Sequence, residues 1–94
     1  MADVKLDCGA LFCPSCGNDG DLHQTSARVG FRRNEDEPES LVVCADEHCS
    51  WSEVAPIRGR RHQISIWFDC WNCSKRSELT ITQHKGQTLI RWED

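Results

Sequence analysis

The chain has no apolar run that approaches the length of a membrane span, so no transmembrane helix is expected. Its opening residues, Met1-Ala2-Asp3-Val4-Lys5-Leu6-Asp7, alternate charge and carry no apolar core, so no signal peptide is expected either. A cytoplasmic, reducing location is the resulting expectation. Sustained helical periodicity is missing, as are low-complexity tracts and internal repeats other than paired cysteines. Apolar bulk is also scarce. Hydrophobic residues make up 38% of 94 residues, and seven of them are cysteines, which leaves a thin aliphatic and aromatic core. A single small domain of this kind needs a staple, either disulfides or a metal. In a reducing compartment, an odd number of cysteines points to metal or redox chemistry rather than a disulfide framework.

Two Cys-x-x-Cys pairs stand out: Cys13-Pro14-Ser15-Cys16 and Cys70-Trp71-Asn72-Cys73. Two intervening residues let a tight turn aim both sulfurs at one ion, and four soft thiolates suit tetrahedral Zn²⁺. Three ligand assignments compete. In the first, Cys13, Cys16, Cys70 and Cys73 form one site, with 53 residues (17 to 69) between the pairs; loop closure grows only logarithmically, so this length is tolerable. In the second, Cys13 and Cys16 join Cys44 and Cys49, and the last pair uses Cys8 or a histidine. In the third, there are two metals, whose eight ligands would be drawn from the seven Cys and four His. Buried thiols with no metal remain the plainest alternative, above all for Cys44, which ends a Val-Val strand.

The remaining pattern is all-β. Residues 1–12 form an arm, and 13–94 form one domain. Strands are expected over 22–33, 41–44, 51–55 and 63–69, then over 78–84 and 87–92 around a Lys85-Gly86 turn. An acidic loop covers 34–40. If His84 pairs with Gln87, then Ile81 faces Ile90 and Leu79 faces Trp92. This register puts all four on one buried face with Ile64, Ile66 and Phe68.

Cys13-Pro14-Ser15-Cys16-Gly17, Cys70 with Cys73, and Gln83-His84-Lys85-Gly86-Gln87-Thr88 together resemble a group of small, functionally uncharacterised bacterial and phage proteins of the zinc-ribbon kind. The resemblance is best over 62–92 and at the first knuckle, and it does not extend to 41–56. It implies an antiparallel, zinc-ribbon-like sheet with rubredoxin-like knuckles and a long insertion, and it favours the first ligand set. It implies no activity.

Catalysis finds little support. No βαβ pattern surrounds either pair, as a thioredoxin-like site would need. A four-cysteine site is closed, and no His-x-x-x-His motif exists for hydrolysis. Candidate contact residues are Trp67, which alternation puts opposite the isoleucines, Arg60 and Arg61 in a basic linker, and His84 and Lys85 at a hairpin tip. Trp51 and Trp71 could add stacking faces. The formal charge is −4, and four thiolates with one Zn²⁺ would take it to −6. That disfavours general nucleic-acid binding, which rests on phosphate neutralisation. A protein partner is therefore the leading expectation, with nucleic acid on a local basic face as the second.

Overall fold

A computed structural model describes residues 2–4, 6–7, 9–32, 40–57 and 62–93. Residues 34–39 of the expected acidic loop, Arg60 and Arg61 of the basic linker, and Cys8 lie outside the described residues, whereas Ser40 begins β5. Among those described there is no helix. The strands are β1 (Ala2–Asp3), β2 (Leu6–Asp7), β3 (Ala10–Leu11), β4 (Leu22–Phe31), β5 (Ser40–Asp46), β6 (Ser50–Ala55), β7 (Gln63–Cys70), β8 (Arg76–His84) and β9 (Gln87–Glu93). Seven form one sheet in the order β1-β9-β8-β7-β4-β5-β6, and β2 and β3 form a small hairpin. Every pairing is antiparallel. Two meanders, β4-β5-β6 and β7-β8-β9, thus meet along the β4–β7 seam.

The segment read as an arm contributes to this architecture. Ala2 and Asp3 pair with Trp92 and Arg91 on the β9 edge. Val4 and Leu11 pack on the cluster of Phe68, Leu79 and Trp92, together with Leu22 and Ile66. Phe68 and Trp92 meet edge to face, their ring centres 5.6 Å apart.

The C-terminal hairpin has the expected register: His84 opposite Gln87, Ile81 opposite Ile90, and Leu79 opposite Trp92. Lys85 (φ 49°) and Gly86 (φ 82°) both take left-handed conformations, as a two-residue turn matched to strand twist requires. Burial does not follow the expected face throughout. Leu79, Trp92 and Phe68 are buried, but Ile64 and Ile90 are exposed, while Thr80 and Ser65 on the other face are buried. The reason lies in the second half of the sheet, where burial changes sides. Along β5, Leu41 is 52% exposed while Val42 is fully buried beside buried Ser40 and Cys44. Pro56 and Ile57, which follow β6, lie on this polar side, so close that a Cβ on Gly30 would lie 2.5 Å from Ile57 Cγ2. Arg32 holds Ile57 in place: its guanidinium donates to the Ile57 carbonyl at 2.9 Å, and its backbone N–H donates to His62 Nδ1 at 3.2 Å. Small polar residues thus sit beside Pro56 and Ile57, and the larger apolar ones face outward.

Candidate metal centre

The 53 residues between the cysteine pairs are not a loop hung on a ribbon. They begin with β4 and end with β7, which pair with each other so that Leu22 stands opposite Cys70. One knuckle precedes β4 and the other follows β7, so both fall at the same end of the central seam.

The two knuckles are built alike. In the first, Gly17 N–H donates to the Cys13 carbonyl (3.0 Å), and Cys13 N–H donates to the Asn18 carbonyl (2.9 Å). In the second, Ser74 N–H donates to the Cys70 carbonyl (2.8 Å), and Cys70 N–H donates to the Lys75 carbonyl (3.0 Å). Each turn needs a left-handed residue one step past its second cysteine: Gly17 at φ 77° and Ser74 at φ 62°. Glycine makes the first legible in sequence; serine hides the second. Trp71 N–H donates to the Asp21 carbonyl at 2.9 Å, tying the second knuckle to the start of β4. The Trp71 ring also stacks on His23 at 3.4 Å, a contact that nothing in the spacing announces.

This construction brings the sulfurs of Cys13, Cys16, Cys70 and Cys73 within 4.8 Å of one another. The Cys13–Cys73 and Cys16–Cys70 sulfur separations are both 3.7 Å. A tetrahedral ion with metal–sulfur bonds of about 2.3 Å requires sulfur–sulfur edges of about 3.8 Å. The donor set therefore fits one four-coordinate ion. Two N–H groups point at the sulfurs, as ligand-supporting donors do: Asn72 Nδ2 lies 3.3 Å from Cys16 Sγ, and Ser15 N lies 3.4 Å from Cys13 Sγ.

The protonation pattern of the bare cluster is uneven. The Asn72 amide, then the backbone at Asn18, lower the Cys16 thiol to about 6. At Cys73 the backbone at Lys75 pulls downward, but lost solvation and the three neighbouring sulfurs outweigh it and push the thiol up to about 12. Four crowded thiols cannot all ionise without a compensating cation, which a divalent ion would supply.

Cys44 and Cys49 are not drawn into this cluster, and they form no cluster of three or more metal-ligating groups among the described residues. Cys44 is buried at the β5–β6 pairing opposite Trp51. Cys49 sits exposed in the following turn, its thiol pushed up first by desolvation and then by the Asp46 carboxylate. That carboxylate organises the turn by accepting N–H bonds from His48 (2.8 Å) and Cys49 (2.9 Å).

The other sequence candidates occupy separate places. His84 and Lys85 project at the exposed hairpin tip. Trp67 is half-buried and lines a cleft of about 270 Å³ with Trp51, Arg28, Glu53, Cys44 and Arg76. Arg28 and Glu53 approach to 3.6 Å across the cleft, and Arg76 Nε donates to Asp69 at 3.2 Å. The cleft thus offers two indole surfaces beside paired charges. Trp51 and Trp67 line the same cleft from β6 and β7, separated by β4 and β5, because Trp51 lies opposite Cys44, Cys44 opposite Arg28, and Trp67 opposite Ser26 two residues along.

No protein-family model matches this chain, and no curated protein or solved structure matches it.

Proposed function

We propose that this protein is a non-enzymatic, Zn²⁺-tied module of the zinc-ribbon kind that binds another protein. The observation that carries this reading is the closed donor set. Four cysteine sulfurs within 4.8 Å of one another, two of their separations being 3.7 Å, would fill every position of such an ion and leave none for a substrate or an activated water. When bound, Zn²⁺ supplies folding free energy rather than reactivity. The likeness of the two knuckles, Cys13 to Asn18 and Cys70 to Lys75, supports the zinc-ribbon assignment.

The contact surface we assign is the Trp51–Trp67 cleft, with the His84-Lys85 tip as a second element. Aromatic and arginine side chains concentrate binding energy because they bury much area at low entropic cost. Arg60 and Arg61, outside the described residues, belong to the same proposal. The protein would act as a small regulator, and the resemblance adds a phage-encoded inhibitor as one form of that role. Nucleic acid is the second reading, favoured by two indoles beside Arg28 and Arg76.

Affinity capture from host lysate and mobility shifts with single-stranded and duplex DNA and RNA separate these readings. A partner retained by the wild type and lost by Trp67→Ala, at unchanged zinc content, supports protein binding. Nucleic-acid binding that weakens steeply with salt and disappears in an Arg60/Arg61 double alanine variant overturns it in favour of the second. Elemental analysis tests the metal itself: one Zn²⁺ per chain is expected.

A further inference from the structure

Strand register divides the charges of the main sheet between its faces. Alternation along β4 to β9, read through the cross-strand pairs, puts Arg28, Asp46, Glu53, Asp69, Arg76, Glu78, Arg91 and Glu93 on one face. The other face carries no charged residue on any of these six strands. Near the knuckles this second face is covered by Val4 and Leu11. Farther along, the described residues leave it largely open, the one ring contact there being the His62 imidazole edge to face with Phe31 at 5.3 Å. Phe31, Leu41, Val43, Val54, Ile64 and Ile90 are each between 37% and 65% exposed.

These six side chains form one continuous patch. Val54 stands opposite Leu41, and Leu41 opposite Phe31. In the next row, Val43, Val29, Ile64, Ile81 and Ile90 follow one another across five strands. The molecule is correspondingly flat, 40 × 33 × 21 Å, with a radius of gyration of 14.2 Å, against about 12.4 Å for a compact domain of this length. Domains are ordinarily two packed layers. Over this half, the second layer is missing.

We infer that a second copy of this chain supplies that layer, the two uncharged faces stacking as a β-sandwich dimer. Three observations select this occupant. First, the patch has the size of a modest interface. Six strands at about 4.8 Å and two rows at about 6.8 Å give roughly 400 Å² in projection per copy; the eight apolar positions fill about two-thirds of it, and Ser52, Gln83 and Thr88 of the same face take most of the rest. With side-chain relief, two copies bury on the order of 1,000 Å², the lower bound for a specific interface. Second, the face has no charge with which to orient a foreign partner or reject a wrong one. A second copy meets it with an equally uncharged surface, so no ion is desolvated on association. Third, the net negative charge does not oppose the pairing. The charged faces point outward, about 20 Å apart across a sandwich, well beyond the screening length of about 8 Å at physiological salt.

This inference goes beyond the proposed function and does not depend on it, since self-association is measured with no other partner present. The test is sedimentation equilibrium of the full, metal-loaded chain from low to high micromolar concentration, at low and high salt. Wild-type protein should approach twice the 10.7 kDa of one chain, with association unchanged or strengthened by salt. Val43→Glu puts one charge at the centre of the patch and should sediment as a monomer at every concentration. Its zinc content and thermal transition report that it is folded. Leu41→Glu, at the next row, provides a second variant with the same expected result. Glu47→Lys, in the exposed β5–β6 turn, should leave the dimer intact. A folded wild type that stays monomeric throughout overturns the inference, and so does a dimer that survives both glutamate substitutions. Flotation of wild type, but not Val43→Glu, with phosphatidylcholine vesicles would assign the face to a lipid surface and also overturn it.

Discussion

Removing the metal should cost this domain a large share of its stability, and the fold gives a means of estimating the share. Cys16 and Cys70 lie 54 positions apart and are drawn to a sulfur separation of 3.7 Å. Treated as a cross-link closing a loop of that length, the tie removes about 4 kcal/mol of chain entropy from the unfolded state. A domain of this size has roughly 5–14 kcal/mol in total. Its buried apolar cluster contains three side chains, Phe68, Leu79 and Trp92, which argues for the lower half of that range. At roughly 4–8 °C per kcal/mol, chelation should lower the melting temperature by about 16–32 °C. Cys70→Ser should do at least as much, because it removes one of the four sulfurs and leaves a hydroxyl at a buried position. Cys44→Ser, outside the cluster, should cost only about 1 kcal/mol and keep the metal. The measurement is a pair of circular-dichroism melts, with and without chelator, beside metal content for each variant. A chelated protein that has lost its ion yet melts within about 5 °C of the loaded form would refute the argument. So would a Cys44→Ser variant that loses the metal while Cys70→Ser keeps it.

Three further outcomes are expected. Trp92 is 1% exposed and Ile90, two residues before it on the same strand, is 48% exposed. Trp92→Ala should therefore cost about 3–5 kcal/mol in urea unfolding of the monomer, and Ile90→Ala about 1 kcal/mol or less; equal costs would show that the burial change along β9 is wrong. Gly30→Ala pushes a Cβ into Ile57 Cγ2 at 2.5 Å and should destabilise by about 1–3 kcal/mol, with Ile57→Ala restoring part of the loss; no rescue would mean Ile57 does not press on β4. The Cys49 and His48 N–H groups hold the Asp46 carboxyl below its ordinary 3.8, so its stabilisation is complete above that value and lost as pH falls through the folded one. Asp46→Asn should flatten the acid limb of the pH–stability curve; an unchanged limb counts against the turn geometry.

Much of this fold is written in local patterns. Period-two alternation and a Lys-Gly turn are enough to set the β8–β9 register residue by residue, because a one-residue slip would move Leu79 and Trp92 to the opposite face. The cysteine cluster is legible for a similar reason, since Cys-x-x-Cys specifies a turn. The same patterns mislead about burial. Ile64, Ile81 and Ile90 share a face with Phe68, yet the cover ends partway along the strands. Whether a covering segment reaches a given row is decided by the chain path, and alternation carries no record of it. Thr80 shows the converse. Its hydroxyl lies 3.0 Å from a Glu93 carboxylate oxygen and 3.3 Å from the Arg91 carbonyl, so a residue that reads as solvent-facing sits buried with its polar group bonded. The His23–Trp71 stack depends on residues 48 positions apart, and no local signal encodes it.

The proposed metal and the proposed second layer would answer one shortage at two ends of the same seam. Near the knuckles, β4 and β7 are held by four converging sulfurs and by the small cluster under Val4 and Leu11. Toward the opposite end of β4 and β7, where Gly30 pairs with Gln63, the chain has placed mostly small or polar residues inward beside Ile57, with Val42 the large apolar exception, and left Phe31, Leu41, Val43, Val54, Ile64 and Ile90 outward. That is the reverse of what burial in water rewards, because each large apolar side chain left in solvent forgoes about 1.5–3 kcal/mol. A sheet with one uncharged and one charged face is the pattern of a layer that has a partner. The bulge at Thr25, where the β4–β7 register shifts between Gln24 and Ser26, lies between the two regions. A bulge bends and twists the strand that carries it, so the knuckle end and the open apolar end need not share one plane. This explains how a single sheet can gather four cysteines and a small core at one end while presenting an unclosed face at the other.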